Sequence, residues 1–541
     1  MEPTAIVLIS LLAVLMSAFV ARVSGIPLPL VQITLGAAIH FSGLPTAVLD
    51  PQVFFLLFLP PLLFLDGWRI PKNELFREAP TILKLALGLV LFTVIGMGVF
   101  IHWLIPTIPL AVAFALAAVI SPTDPVAVTA IAARTPIPGR LRHIIQGEAL
   151  LNDATGLVCM RFAVAAAMTG TFSLAGAMTS FLWVALGGLA IGIGVTWVVA
   201  RFTSWATAQF GEDAGTQILM TVLIPFGVYL LAERLHCSGI LAAVAAGVTM
   251  SFMDIWQWRA ATRLRRTAFW DMVQLAANGS IFVLLGEQIP ALLSAAQDTM
   301  RSTPHFATWW LGVYVVSIVA ALGAIRFAWV WISLKVTFFR ARRRGIETPV
   351  TSLRLVMAAT LAGVRGAVTL AGVLTLPLVL HDGTAFPARD LAIFLAAGVI
   401  VVSLLLTTLA LPRTLRGLEQ PTDEAMLVEE DRARLIAAET AASAIEVARN
   451  MMISQHADAN YHMDAAASVV DLYRKRIDRL TNNEVSARGA NSDDIERELR
   501  LVGLRAEREA FLKVGRDRGL DDLTLRKILR ELDLLEARYG G

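Results

Sequence analysis

Gly147-Glu-Ala-Leu-Leu-Asn-Asp-Ala-Thr-Gly156 opens an apolar run that continues through Leu157-Val-Cys-Met-Arg-Phe-Ala-Val164 to Met168. The whole stretch is long enough to cross a bilayer as one helix. Two carboxylates, Glu148 and Asp153, then lie in or near hydrocarbon. Ionisable groups are costly there and persist when they are paired or face water, so the stretch is a candidate ion or proton site. At helical spacing Glu148 and Asn152 share a face, being four residues apart. Asp153 is turned well away from Glu148, so one helix offers carboxylates to two different neighbours. The competing reading is a short soluble turn, with Asn152 and Asp153 as ordinary caps.

Composition favours the membrane. The 541 residues are 56% hydrophobic and 16% charged, with a mean hydropathy of +0.66. A soluble globular chain does not need so much apolar sequence. Beyond about residue 412 the chain becomes dense in Glu, Asp and Arg, a shift that marks a domain boundary. We expect a membrane domain over 1–416 and a cytoplasmic helical domain over 417–541. The net charge of +3 makes no case for nucleic acid. Cys159 and Cys237 both lie in apolar runs and make neither a disulfide framework nor a metal site. Glu2 stands where a secretory signal needs a basic region, so Ala5 to Val20 reads as a retained first span.

About 13 segments have the length a bilayer requires. They fall near 4–21, 27–42, 52–67, 81–104, 109–133, 147–169, 174–200, 215–233, 238–253, 269–287, 306–337, 351–379 and 389–412. Alternate loops hold Arg22, then Arg69, Lys72 and Arg77, then Arg134, Arg140 and Arg142. The same set continues with Arg201, with Arg259, Arg263, Arg265 and Arg266, with Arg340 and Arg342 to Arg344, and with Arg413 and Arg416. The other loops hold little beyond Arg234, Arg301 and Arg389. Positive loops face the cytoplasm. The N-terminus is therefore expected outside and the tail inside, which requires an odd number of spans.

Two spans carry interruptions. Ser121-Pro122-Thr123-Asp124-Pro125 falls in the fifth, where each Pro removes a donor and disfavours helix just before it. Asp124 would cap a second half-helix with Pro125 at its first position. Broken backbone at membrane depth is tolerated only where protein or a water-filled cavity covers it. In transporters such breaks form the ion site near the midplane. Leu361-Ala-Gly-Val-Arg-Gly-Ala-Val-Thr369 in the twelfth span has Gly363 and Gly366 around a mid-span Arg365. The corresponding positions of the two breaks suggest an inverted repeat.

Arg326 lies well inside the eleventh span and must find a carboxylate or carbonyls, with Glu148 as the obvious candidate. Arg161, two turns from Asp153, lines a cytoplasmic funnel or pairs structurally. Asp66, Glu233, Glu287 and Lys335 lie near span ends and read as interfacial. His102 and His143 flank spans; a lone interfacial His is passive more often than pH-sensing. The eight His show no metal spacing, and no nucleophile–base signature supports an enzyme. The tail reads as helices over about 425–457, 464–480, 492–515 and 523–539, forming a small bundle or hairpins.

With these residues in place, the sequence resembles the sodium/proton exchanger family. These are the monovalent cation–proton antiporters whose site carries Asn-Asp rather than paired aspartates. The resemblance rests on Gly-Glu-x-Leu-x-Asn-Asp at 147–153, Ser-Pro-Thr-Asp-Pro-Val-Ala-Val at 121–128 and Gly-Val-Arg-Gly-Ala at 363–367. The tail is similar to that of bacterial members. The resemblance implies an all-α polytopic membrane protein of 13 spans, with inverted repeats, a core of two crossed discontinuous helices, a dimerisation domain and hence a homodimer. It implies Asp153 as the cation- and proton-binding carboxylate, supported by Asn152, with Glu148 and Arg326 as a structural ion pair. It places Thr123, Asp124 and Arg365 at the crossing. The binding set is then Asp153, Asn152, Thr123 and Glu148, with Na+ on Asp153. One departure is Ala149, where many members carry Ser; a possible hydroxyl ligand is lost.

The chemistry agrees. A buried carboxylate resists ionising unless something positive is near. Asp153 can take a proton or a small alkali cation, and competition for one site gives exchange. Hard oxygen ligands, including carbonyls freed at Thr123, suit such an ion. We expect electroneutral one-for-one exchange of Na+ or Li+ for H+ across the cell membrane, with no cofactor. The nearest alternative is K+/H+ exchange by the same machine. A channel, or an ion sensor signalling through the tail, is the alternative of a different class.

Overall fold

The computed structural model describes residues 3–43, 51–70, 79–124, 139–169, 174–211, 213–257, 260–300, 309–343, 353–380, 383–415, 424–455, 467–474, 477–478, 481, 499–510 and 532–536. The chain divides into two compact units, Met1–Glu419 and Gln420–Gly541. Among the described residues the structure is helical, and the one β pairing is an isolated bridge between Val379 and Ala385.

Helices form where the apolar runs lie. In the first unit these are α1 (Pro3–Ser24), α2 (Leu28–Phe41), α3 (Pro51–Arg69) and α4 (Ala79–Leu83). Helix α4 runs through a π-helical turn (Lys84–Leu89) into α5 (Val90–Leu104). Then come α6 (Leu110–Ile120), α7 (Gly139–Thr169), α8 (Leu174–Phe210), α9 (Ala214–Arg234) and α10 (Gly239–Gln257). The long α11 (Ala260–Met300) and α12 (Trp309–Arg343) precede the short pair α13 (Leu353–Leu361) and α14 (Ala367–Leu374), and α15 (Arg389–Leu415) closes the unit. Among the described residues, eight of these helices are long and apolar enough to cross a membrane, and α2, α6 and α10 contribute shorter apolar helices.

Several helices outrun their apolar cores. Helix α11 begins at Ala260, nine residues before the expected span, so Arg263, Arg265 and Arg266 are helical rather than loop residues. Arg266 is buried, with its guanidinium 4.7 Å from the Trp68 ring centroid. Glu287, expected near a span end, is buried within the protein. The Lys335 ammonium lies 5.0 Å from the centroid of the Trp331 ring. Asp213 caps α9 by accepting from the Thr216 N–H at 2.8 Å and its hydroxyl at 2.5 Å. Those bonds hold the Asp213 carboxyl below the usual carboxylate range.

Packing sorts the helices into two bundles. One holds α1, α2, α3, α8, α9 and α10, with α11 laid along α2. The other holds α4 to α7 and α12 to α15. Close approach in the first bundle depends on small residues, as it does in membranes generally. Gly67 lies on the Val244 carbonyl and Gly247 on the Phe64 carbonyl. Between the bundles, α11 packs along α15 and α3 meets α14, while α7 meets α3 and α10 only thinly.

In the second unit the described helices are α16 (Glu424–Gln455) and the segments 467–474, 499–510 and 532–536. Ala438, Val470 and Leu532 are buried. Arg508 donates to Asp533 and to Glu536, each at 2.5 Å.

Candidate functional site

Two helix interruptions meet in the second bundle. Helix α6 stops at Ile120, where Pro122 denies the next turn its donor. Residues 121–124 continue without regular structure. The second half of that span, 125–138, lies outside the described residues, as does the expected Asp124 cap there. Across from it, residues 362–366 separate α13 from α14. The Asp124 N–H donates to the Val364 carbonyl at 2.7 Å, joining one break to the other.

Each break supplies a charge to the other's helix end. Arg365, buried, donates from Nε to the Ile120 carbonyl at 2.9 Å and from Nη1 to the Gly363 carbonyl. A guanidinium therefore sits on the C-terminal carbonyls of α6, where a cation is favoured by the helix dipole. The Asp124 carboxylate packs against Gly366, the residue that opens α14, where an anion is favoured. A Cβ on Gly366 would overlap that carboxylate. Gly366→Ala is therefore expected to push the two breaks apart, costing about 1–3 kcal/mol as overpacking does. A lower melting temperature in detergent together with slower transport would show it. An unchanged variant would contradict the contact.

Helix α7 docks on this crossing through Gly156, which lies on Pro122 and the Ala118 carbonyl. One turn earlier are Asn152 and Asp153, 1% and 7% exposed. Asn152 Nδ2 donates to Thr123 Oγ1 at 2.8 Å, tying the Asn-Asp pair to the unwound joint. Its Oδ1 is buried and has no hydrogen-bond partner among the described residues. Such an orphan acceptor is costly unless something occupies it. Asp153 lies within electrostatic reach of Asp124 and Asp66.

Glu148 is 2% exposed and Arg326 4% exposed. They pair in fork geometry: Arg326 Nη1 donates to Glu148 Oε1, and Nη2 donates to Oε2 at 2.8 Å. Arg326 Nε donates to the Ala359 carbonyl at 3.0 Å, on the helix that leads into the second break. Thr123 Oγ1 donates to Glu148 Oε1 at 3.4 Å. The pair therefore fastens α7, α12, α13 and the first break together, and Gly363 leaves room for the Arg326 side chain. Ala149 is buried without a polar atom to offer.

All seven residues singled out from the sequence therefore gather around one crossing. The sequence reading missed Asp66. Its place three residues from the end of α3 suggested an interface, yet its carboxylate couples to Asp124 and Asp153, with Arg69 nearby. The signal available was Gly67, which draws α3 against α10. Arg161 and Glu233 are paired with each other at 2.8 Å. The His102 ring nitrogen Nδ1 lies 2.8 Å from the Ile108 carbonyl. The His143 side chain lies outside the described residues.

A family model described as the sodium/hydrogen exchanger transmembrane region matches residues 7–417. An uncharacterized Na(+)/H(+) exchanger of Escherichia coli (strain K12), YjcE, is 41% identical over 540 residues, covering 98% of each chain. A sodium, potassium, lithium and rubidium/H(+) antiporter of Bacillus subtilis (strain 168) is 37% identical, covering 99% of this chain and 78% of that protein. Among solved structures, the sodium proton antiporter MjNhaP1 from Methanocaldococcus jannaschii at pH 8 shares the fold with a TM-score of 0.59. It is 17% identical and covers 76% of this chain and 98% of its own.

Proposed function

The chain belongs to the sodium/hydrogen exchanger family, a family of membrane transporters rather than enzymes, and from that premise we propose that it exchanges Na+ or Li+ for H+ by alternating access around Asp153. Cation/proton antiport itself is what the family and its antiporter relatives support. The observation that supports the finer reading is the Asn152–Thr123 bond, which ties the residue beside Asp153 to the interrupted segment at 121–124.

In this reading Asp153 binds a proton or a cation, one at a time. Asn152 Oδ1 and oxygens at Thr123 complete the cation's shell, and Glu148, neutralised by Arg326, holds the site in shape. Asp124 and Arg365 offset the helix ends and keep their charges throughout the cycle. The bundle of α4–α7 and α12–α15 acts as the moving core. The other bundle serves as the dimerisation domain of a homodimer. The N-terminus lies outside and the tail over 417–541 lies in the cytoplasm, in the cell membrane.

Because Asp153 alone changes its load, exchange is one-for-one and electroneutral. Collapse of a pH gradient by Na+, Li+ and K+ salts in proteoliposomes tests the cation and the coupling. A rate unaffected by imposed voltage is expected, and a voltage-shifted reversal point would refute electroneutrality. Stronger collapse by K+ than by Na+ would move the reading to K+/H+ exchange.

Asp66 adds long-range attraction for the cation. Losing about 1 kcal/mol of Coulombic energy at several ångströms predicts that Asp66→Asn raises the half-saturating Na+ concentration about fivefold. An unchanged value would remove Asp66 from the site.

A further inference from the structure

An ion pair joins α7 of one bundle to α9 of the other, at a place where α7 meets that bundle only thinly. Arg161 on α7 donates from Nη2 to Glu233 Oε1 on α9 at 2.8 Å, with the side chains 42% and 33% exposed. Glu233 is fixed within its own bundle. The same oxygen accepts the N–H of Gly239, the first residue of α10, at 3.2 Å. The Tyr229 ring packs on Gly239 and lies within electrostatic reach of both charges. Arg161 rides on the helix that carries Asp153, eight residues or about 12 Å further along its axis. In the orientation proposed above, this end of α7 is the outer one, so Arg161 pairs structurally there and does not line the cytoplasmic funnel expected from the sequence.

We propose that Arg161 and Glu233 are positioning residues of the transport cycle: their pair latches the core against the other bundle on the outer side and parts when Asp153 moves outward. This rests on the exchanger reading. Any motion that carries α7 past α9 must separate the two charges, because one travels with Asp153 and the other is anchored to α10. A half-exposed ion pair biases an equilibrium modestly, by about two- to fivefold in population. It therefore holds the resting state without blocking turnover.

Two experiments on the reconstituted full-length protein test this. In the first, Arg161→Cys and Glu233→Cys are combined after both native cysteines are replaced by Ser. The pair is then bridged with a short bifunctional thiosulfonate. The bridge is expected to cut Na+-driven proton flux more than tenfold, with full return on reduction by dithiothreitol. A bridge that forms and leaves flux unchanged overturns the latch. A bridge that does not form in the resting protein places the side chains apart and overturns it as well.

The second needs no cysteine chemistry. Glu233→Gln is expected to lower the half-saturating Na+ concentration about two- to fivefold when Na+ is offered at the outer face only, because the outward-competent fraction rises. A symmetric change, or none, assigns the pair a purely structural role. Wild-type protein in the same vesicles separates the two readings. If it exchanges Na+ for H+ while these variants behave otherwise, only the latch fails. If it shows no exchange, the function itself is wrong.

Discussion

Asp153→Asn leaves a folded protein that no longer couples cation movement to proton movement. The substitution keeps the shape and the buried position of the side chain, which is 7% exposed. It removes the charge for which proton and cation compete. The two helix breaks remain joined by the Asp124–Val364 bond and the Arg365–Ile120 bond, so the crossing should hold without it. Losing a close charge partner in a poorly solvated site forfeits at least about 3 kcal/mol, which is a factor of about 10² in cation affinity. Proton flux driven by Na+ in proteoliposomes should fall to that of empty vesicles, while the thermal melt in detergent stays near wild type. Residual cation-driven flux near the wild-type rate would move the site elsewhere.

The second large effect concerns the Glu148–Arg326 fork. Both groups are buried, and each satisfies the other with two parallel hydrogen bonds. Removing one partner leaves an unpaired charge in the membrane, which typically costs about 3–5 kcal/mol. Arg326→Ala strands the Glu148 carboxylate and frees the Ala359 carbonyl. Glu148→Gln strands the guanidinium and loosens Thr123. Each single variant should show low yield in the membrane and a sharply lower melting temperature, together with lost transport. Replacing both residues with an uncharged pair should recover folding far better than either single change, because no charge is left unpaired. Single variants that melt like wild type would mean that the fork does not hold the crossing.

Much of this site is legible in the sequence, for reasons specific to its residues. Pro122 and Pro125 announce a break because proline cannot continue the hydrogen-bond ladder. Gly363 and Gly366 announce the other because Arg365 between them has no business in hydrocarbon unless it caps something. The Glu148–Arg326 pair follows from the need of a mid-span guanidinium for a carboxylate. What escaped was set by tertiary packing. Asp66 sits near the end of α3 by count, but that helix lies against α10 and α14, which brings its carboxylate within electrostatic reach of Asp124 and Asp153. Arg266 looked like a loop charge because hydropathy registers only the apolar part of a helix. Helix α11 extends well beyond that part, and the Trp68 ring covers the guanidinium. The Arg161–Glu233 pair joins residues 72 apart in the chain, a separation that no local pattern encodes.

The most direct test of one carboxylate shared by proton and cation is the half-saturating Na+ concentration measured at equal pH on both sides of the vesicle, over a series of acidic pH values. Competition for a single site raises that concentration about tenfold for each pH unit lowered through the range where the site is protonated, with the maximal rate unchanged. A half-saturating concentration that does not move with pH while the maximal rate falls would mean that proton and cation bind apart, and Asp153 would not be their common site.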